Sequence, residues 1–259
     1  MNSKNGWIKA SSTLLGSLAD LLWPPVCAVC SRLLPLAENG AGGERHFCRR
    51  CLEAVEFMPA SLCGICGRPF YSSPEHVCGD CLASPPLYRQ ARSALVYQGA
   101  VARSISLLKY YGDLSQLKVL ADLARPLAGS LMEEGGFEVV IPMPVSDGRY
   151  RERGFNQAQE LAGDLYAPWK ERINPAALRR PGNENTHQAS LSAKSRAKAI
   201  KGCFAVDEPG HIQGARILLF DDVFTTGATA SEAVATLLKA GAASVDIFTL
   251  ARTVLASWR

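Results

Sequence analysis

The stretch "ILLFDDVFTTGAT", residues 217–229, runs an apolar segment straight into two adjacent carboxylates and then into a threonine-rich turn. Asp221 and Asp222 repel one another, and burying either without a partner is costly. A chain that sets such a pair at the end of a buried strand is holding something polar there, a cation or the hydroxyls of a sugar. Beyond the acids, Thr225, Thr226, Gly227, Ala228 and Thr229 lead into a segment of helical periodicity. The first N–H groups of a helix have no intrahelical partner and lie at the positive end of its dipole, so a turn of this kind cups an anion. Gly227 lets the backbone come close, and the three threonine hydroxyls add donors. A phosphate in the turn, with carboxylates one sugar's breadth away, describes ribose 5-phosphate. Two plainer readings stand beside it, an ordinary helix cap with surface acids and a magnesium-binding acidic pair of a nucleotide hydrolase. The second is disfavoured because no G-x-x-x-x-G-K-[ST] occurs in the chain.

Outward from that stretch, strand and helix patterns alternate. "ARSALVYQG" (91–99) reads as a strand, "AVARSISLLKYYGD" (100–113) as a helix and "LKVLADLARPLAGSLM" (117–132) as an amphipathic helix. "FEVVIPMPV" (137–145) and "ARILLF" (215–220) are short apolar runs consistent with buried strands. "FNQAQELAGDLYAPW" (155–169) and "TASEAVATLLKAGA" (229–242) have helical periodicity, and "SVDIFTLAR" (244–252) is a last strand. Alternating strands and helices imply an α/β fold with a mostly parallel sheet, whose ligands bind at the carboxyl ends of the strands. "DDVFTTGAT" follows such an end.

The first third of the chain is different. Eight of nine cysteines form four C-x-x-C pairs: Cys27 and Cys30, Cys48 and Cys51, Cys63 and Cys66, Cys78 and Cys81. Each pair can offer two thiolates through a tight knuckle, and two knuckles close an all-cysteine tetrahedral zinc site, so two structural zinc ions are implied. Sequential pairing makes two successive ribbons, and interleaved pairing fits the same spacing. Disulfides would need an oxidising compartment; the opening stretch reads as an amphipathic lead-in helix, with a weak signal peptide as its alternative, so zinc is favoured and the chain reads as cytoplasmic. His46 and His76 lie near the pairs and are read as bystanders. Too few large apolar side chains lie among the pairs to fold that segment without metal. "LASPPLYRQ" (82–90), with adjacent prolines, marks a boundary. The expected organisation is a lead-in helix over 1–25, a double zinc ribbon over 26–84 and an α/β domain over 90–259.

At 259 residues with 47% hydrophobic and 20% charged residues, the chain can bury a full core. No apolar run is long enough to span a membrane. The net charge of +4 is mild, but residues 147–201 hold eleven Lys/Arg against six Asp/Glu, which marks where an anion would be met. Cys203, alone in "KGCFAV", reads as a small buried hydrophobe.

The opening stretch resembles the PRPP-binding signature of type I phosphoribosyltransferases: apolar residues, two acids, then T-T-G-x-T. "VVIPMPVSDGRYRERGFNQAQELA" (139–162) resembles the P-x-P and R-G-F-N-Q of the ComF family, also called GntX-like proteins. "NTHQASLSAKSRAKAIKGCF" (185–204) resembles that family's third block, through Thr186, Gln188, Leu191, Arg196, Gly202 and Phe204, with the first gap one residue shorter. Ala199 stands where the family often has Asn. "LLKYYGD" (107–113), with Lys109 and Asp113, resembles a fourth block, and the family also opens with paired C-x-x-C knuckles. The resemblance spans about residues 20–255 and implies a type I phosphoribosyltransferase-like sheet behind a double zinc ribbon.

The same resemblance implies roles. Asp221 and Asp222 take the ribose of PRPP, and residues 225–229 take its 5-phosphate. Arg149, Arg151, Arg153 and Lys194 lie on the pyrophosphate side with magnesium, and Arg196, in the basic run 194–201, acts on the departing pyrophosphate with the two acids as catalytic residues. Natural competence is implied, with incoming single-stranded DNA and an uptake helicase as partners or DNA as a nutrient. Two readings stay open: a transferase with an unidentified nitrogen nucleophile as acceptor, and a non-catalytic module binding PRPP or single-stranded DNA. Tyr110, Tyr111, Phe155 and Trp169 are candidates to stack bases.

Overall fold

The computed structural model describes residues 24–35, 47–70, 74–181 and 201–255. Most of the lead-in helix, His46 and the third-block residues Thr186, Gln188, Leu191, Lys194, Arg196 and Ala199 lie outside them.

Four strands, β1 (Ala91–Val96), β2 (Val139–Pro142), β3 (Arg216–Phe224) and β4 (Ser244–Arg252), form a parallel sheet in the order β1-β4-β3-β2. The two central strands pair from Arg216 opposite Ser244 to Phe224 opposite Arg252, and β2 stops at Pro142 opposite Phe220. Between the strands lie helices α3 (Gly99–Tyr111), α4 (Gln116–Gly135), α5 (Asp147–Arg153), α6 (Gln157–Leu165) and α7 (Ala228–Lys239), after two short helices in the ribbons, α1 (Arg49–Glu53) and α2 (Gly79–Ala83).

Local chemistry explains several boundaries. Gly112, with φ of 65°, ends α3. Asp113 then accepts from the Ser115 N–H at 3.1 Å and from the Gln116 amide at 2.9 Å, starting α4. In the "GFNQ" motif, the Asn156 carbonyl accepts from the Ala158 N–H at 3.1 Å, which caps α6, while its amide donates to the Met143 carbonyl at 3.1 Å. One side chain thereby fixes the start of α6 to the segment leaving β2. Helix α4 packs on α6, and both pack on the sheet. Phe220 and Phe248 stack at 6.0 Å at the centre of the core, with Tyr166 edge-on to Phe220 at 5.7 Å.

One boundary differs from the sequence reading. Asp221 and Asp222 lie inside β3, not in a loop after it, because β4 continues to pair as far as Phe224. Arg149, Arg151 and Arg153 lie on the short helix α5.

The two ribbons repeat one knuckle. The Cys27 N–H donates to Arg32 and the Ser31 N–H to Cys27; in the second ribbon the Cys63 N–H donates to Arg68 and the Gly67 N–H to Cys63. The left-handed position is Ser31 (φ 57°) in one and Gly67 (φ 69°) in the other. Glycine is required in the second because a Cβ there would lie 2.4 Å from the Ala91 carbonyl oxygen. At this point the ribbon joins the sheet: the Ala91 N–H donates to the Ile65 carbonyl at 2.7 Å and Arg92 donates to the Gly64 carbonyl at 3.1 Å. The chain between the ribbons covers the edge of β1, where the Val96 N–H donates to Glu56 and the Met58 N–H to Ala94. Gly67→Ala is therefore expected to cost about 2 kcal/mol or more and several degrees of melting temperature, whereas Ser31→Ala, at the matching knuckle, changes the midpoint little. Calorimetric melting of both variants checks this, and equal midpoints would remove the close approach as the cause.

Candidate functional site

The carboxyl edge of the sheet is open at β3. Because β2 ends opposite Phe220, residues 221–224 have β4 on one side and, among the described residues, no strand on the other. Asp222 is buried, its side chain 5% exposed, and its Oδ2 lies 2.7 Å from Nζ of Lys109 in the last turn of α3. Asp221 accepts the Asp222 N–H through Oδ1 at 2.8 Å. Burial first, and then the charge on Asp222, push the Asp221 carboxyl up to about 8; the Asp222 N–H and the Lys109 charge offset only part of this. The repulsion posed by adjacent acids is thus resolved by one ion pair and one retained proton.

The turn follows directly. Thr225 and Thr226 are exposed, Gly227 is the N-cap of α7 with φ of 77°, and the Ala228 N–H donates to Thr226 Oγ1 at 3.4 Å. A Cβ on Gly227 would come within 2.6 Å of the Phe224 ring, so the residue is held to glycine by conformation and by space. Beyond the contact between Ala228 and Thr226, the N-terminus of this three-turn helix has no cap from its N-cap residue, since Gly227 carries no side chain.

Helix α5 adjoins the same edge. The Arg153 guanidinium lies 5.6 Å from the Tyr110 ring centroid and donates to Gln157 at 3.0 Å, so α5 meets the end of α3 that carries Lys109. Arg149 and Arg151 are exposed. The sequence reading had not joined Lys109 to the acids; its block "LLKYYGD" was the available signal, but no spacing rule links it to a strand so far along the chain. Arg252 was also missed. It closes the buried strand β4, is 4% exposed, lies 4.6 Å over the Phe224 ring and donates to the Cys66 carbonyl at 2.7 Å.

The cysteines gather into two clusters in sequential order, Cys27, Cys30, Cys48 and Cys51, then Cys63, Cys66, Cys78 and Cys81, each with its sulfurs within 4.8 Å of one another. Sulfurs of Cys30 and Cys48, and of Cys66 and Cys78, are 3.7 Å apart. Tetrahedral Zn–S bonds of about 2.3 Å separate neighbouring sulfurs by about 3.8 Å, so the donor sets fit zinc. Burial would raise the thiol of Cys27, but backbone N–H groups of Cys30, Cys48 and Val29 outweigh it and bring it down to about 6; Cys63 reaches about 6 in the same way. Cys51 is pushed up to about 12 by burial and by the neighbouring thiols. Four sulfurs so close cannot all ionise without a dication, and the small ribbon cores are built largely of these sulfurs. The two sites are closed, structural zinc sites. His76 is outside them, stacked on Phe70 at 3.8 Å. Cys203 is partly buried against the core, and burial raises its thiol.

The raised carboxyl of Asp221 has a pH signature. Its folded value of about 8 lies above the ordinary 3.8, so between these values the folded chain keeps a proton that the unfolded chain has released. The stability this contributes is full below about pH 4 and is lost as pH rises through about 8. Asp221→Asn is expected to flatten that decline and to melt higher than the wild type at the alkaline end. Melting curves across this range test it, and an equally steep decline in the variant would place the proton on another group.

Residues 18–82 match the double zinc ribbon family. Over 245 residues the chain is 30% identical to the DNA utilization protein YhgH of Salmonella typhimurium, covering 89% of this chain and 98% of that one. It is 32% identical over 217 residues to competence protein ComFC of Bacillus subtilis, covering 81% and 85%, and 28% identical over 234 residues to competence protein F of Haemophilus influenzae, covering 87% and 96%. Among solved structures it is similar to glutamine PRPP amidotransferase from B. subtilis, at 17% identity and a TM-score of 0.33, over 56% of this chain and 30% of that one. It is also similar to the allosteric regulatory enzyme of purine biosynthesis, at 19% identity and a TM-score of 0.32, over 52% and 26%. With 32% identity to ComFC over 81% of this chain and 85% of that one, and with the ribbons and parallel sheet in the order described, the chain belongs to the ComF family.

Proposed function

We propose that this protein binds PRPP with magnesium at the carboxyl edge of β3 and acts in the use or uptake of DNA. The observation that carries this reading is the acidic pair held by Lys109 directly ahead of the Gly227 turn and the N-terminus of α7. Asp221 and Asp222 accept from the ribose hydroxyls, and Thr225, Thr226, Gly227, Ala228 and Thr229 surround the 5-phosphate. Arg149, Arg151 and Arg153 meet the pyrophosphate; Lys194 and Arg196, expected on the same side, lie outside the described residues. Magnesium, bound with PRPP, supplies positive charge against the pyrophosphate oxygens. As the bond to pyrophosphate breaks, the sugar carbon becomes cationic and the departing oxygens gain charge, and the arginines offset that gain. The names of the relatives, DNA utilization and competence proteins, support the DNA context. Eight thiols arranged for zinc are consistent with a reducing, cytoplasmic setting, and among the described residues no helix is long and apolar enough to cross a membrane. An acceptor with a nitrogen nucleophile makes the protein a phosphoribosyltransferase.

A second reading has its own observation. Tyr110 and Tyr111 are 70% and 73% exposed at the end of α3, where the Arg153 guanidinium of α5 covers the Tyr110 ring. Exposed rings among cations form a platform for single-stranded DNA. Phe155 and Trp169, by contrast, pack partly buried against the core. The two readings are compatible, since the platform borders the anion site.

Calorimetric titration of PRPP with magnesium into the wild type and the Asp221→Asn/Asp222→Asn double variant tests the first reading. Binding by the wild type that weakens at least a hundredfold in a folded variant is the expected result; unchanged affinity would move the site elsewhere. For the second, Tyr110→Ala/Tyr111→Ala should weaken binding of an oligothymidylate about tenfold or more, with steep salt dependence. Equal affinities of wild type and variant would exclude the tyrosine platform.

A further inference from the structure

Arg252 is a cation at a place where packing alone would favour an apolar side chain. It is the last residue of β4 and is 4% exposed, and a guanidinium buried to this degree is costly unless the groups around it answer its charge. They do so from two sides. Nη1 donates to the Cys66 carbonyl at 2.7 Å, and the guanidinium carbon lies 4.6 Å from the centre of the Phe224 ring, whose face attracts cations. Cys66 is a ligand of the second zinc site, and a zinc ion bound by four thiolates keeps a net negative charge. The guanidinium thus stands between a zinc knuckle and an aromatic ring.

The ring in turn carries the Gly227 turn. Phe224 is buried, its carbonyl accepts the Thr253 N–H at 3.0 Å, and a Cβ added to Gly227 would lie 2.6 Å from its Cζ. The turn therefore rests on the outer end of the ring, with Thr225 and Thr226 leading from Phe224 into it. One unbroken series of contacts runs from knuckle to turn: Cys66, Arg252, Phe224, Gly227. The Ala91 N–H on the Ile65 carbonyl and Arg92 on the Gly64 carbonyl tie the same knuckle to β1, but Arg252 reaches on to the turn. Energetic coupling runs through packed and hydrogen-bonded groups of this kind, and groups behind a metal site and its ligands position one another.

We propose that Arg252 is a positioning residue for the Gly227 turn and couples that turn to the second zinc site. Metal held by Cys63, Cys66, Cys78 and Cys81 fixes the knuckle and supplies the negative charge beyond the Cys66 carbonyl; the carbonyl and that charge hold the guanidinium; the guanidinium holds the Phe224 ring, and the ring sets the turn. The second ribbon is then more than a folding device, because the state of its metal reaches the turn. The consequence for ligand affinity rests on the PRPP reading, in which this turn takes the 5-phosphate. The coupling of metal to turn does not depend on that reading.

The test follows amide resonances of the full-length chain, those of Ile65 and Gly67 in the knuckle and of Thr226 and Gly227 in the turn, in the wild type, Arg252→Met and Arg252→Lys. Each protein is measured with zinc and again with cadmium, a softer and larger ion that perturbs the knuckle, and PRPP with magnesium is titrated into the zinc forms. In the wild type, exchanging the metal is expected to shift the turn amides as well as the knuckle amides. In Arg252→Met, with both metals retained, the turn no longer follows the metal, its amides exchange with solvent tenfold or more faster, and PRPP binds about tenfold more weakly. Arg252→Lys keeps the charge but not the planar fork, so it shows the same changes in smaller measure, and it decides the matter if Arg252→Met does not fold. Turn amides that follow the metal equally in wild type and variants, or in none of them, would overturn the proposal, as would variant changes spread evenly over the sheet. Turn amides that respond as stated in a chain that binds no PRPP would uphold the coupling and remove the PRPP reading instead.

Discussion

The ion pair between Lys109 and Asp222 is the constraint around which the open edge of the sheet is arranged. A carboxylate buried to this degree is tolerable only with a partner, and removing one member of such a pair costs about 3–5 kcal/mol because the other is left charged and dry. Lysine can reach Asp222 only if the last turn of α3 is laid against the end of β3, which Gly112 permits by stopping the helix there. That placement in turn exposes Tyr110 and Tyr111 at the rim and gives Arg153 a ring to cover. Burial and the charge on Asp222 lead its neighbour Asp221 to keep a proton, and the Lys109 charge offsets only part of this. A polar site is thereby held in a buried strand without a permanent pair of adjacent charges.

The ribbons solve a different problem. Their small cores are largely sulfur, so metal supplies the cross-links that apolar burial would otherwise provide. They are nevertheless not free appendages. Phe47 of the first ribbon enters the main core, the chain after α1 covers the edge of β1, and the second ribbon is bonded to the ends of β1 and β4. With the second ribbon bonded to the ends of β1 and β4, this edge of the sheet depends on two folding events, one driven by metal and one by the sheet core. Membership of a family whose relatives are competence and DNA-utilization proteins is consistent with that shared layout across the whole chain.

Much of this was legible in the amino-acid sequence. Four C-x-x-C pairs imply zinc because thiolates with two residues between them reach one tetrahedral ion, and the alternation of short apolar runs with amphipathic helices implies a parallel sheet. "DDVFTTGAT" placed the candidate site at a strand end, since such a pairing of acids and glycine turn has no packing use. What local pattern did not show is long-range. The sequential pairing of the knuckles, which spacing left open, follows from which loops lie side by side in space. The extension of β3 through Asp221 and Asp222 follows from the length of its neighbour β4, which a single-strand pattern does not contain.

The chemistry offered by the chain's parts was thus set by residue types at short spacing: thiols that suit zinc, an acidic pair ahead of a glycine turn, and a run of arginines. The tertiary structure alone decided their partners. Lys109 meets Asp222, Arg252 bridges Phe224 and Cys66, and the second ribbon faces Thr225 and Thr226 across a cavity. The physical reason is that motifs depend on contacts along the chain, whereas the neutralisation of a buried charge and the closure of a pocket depend on groups brought together by packing from distant segments.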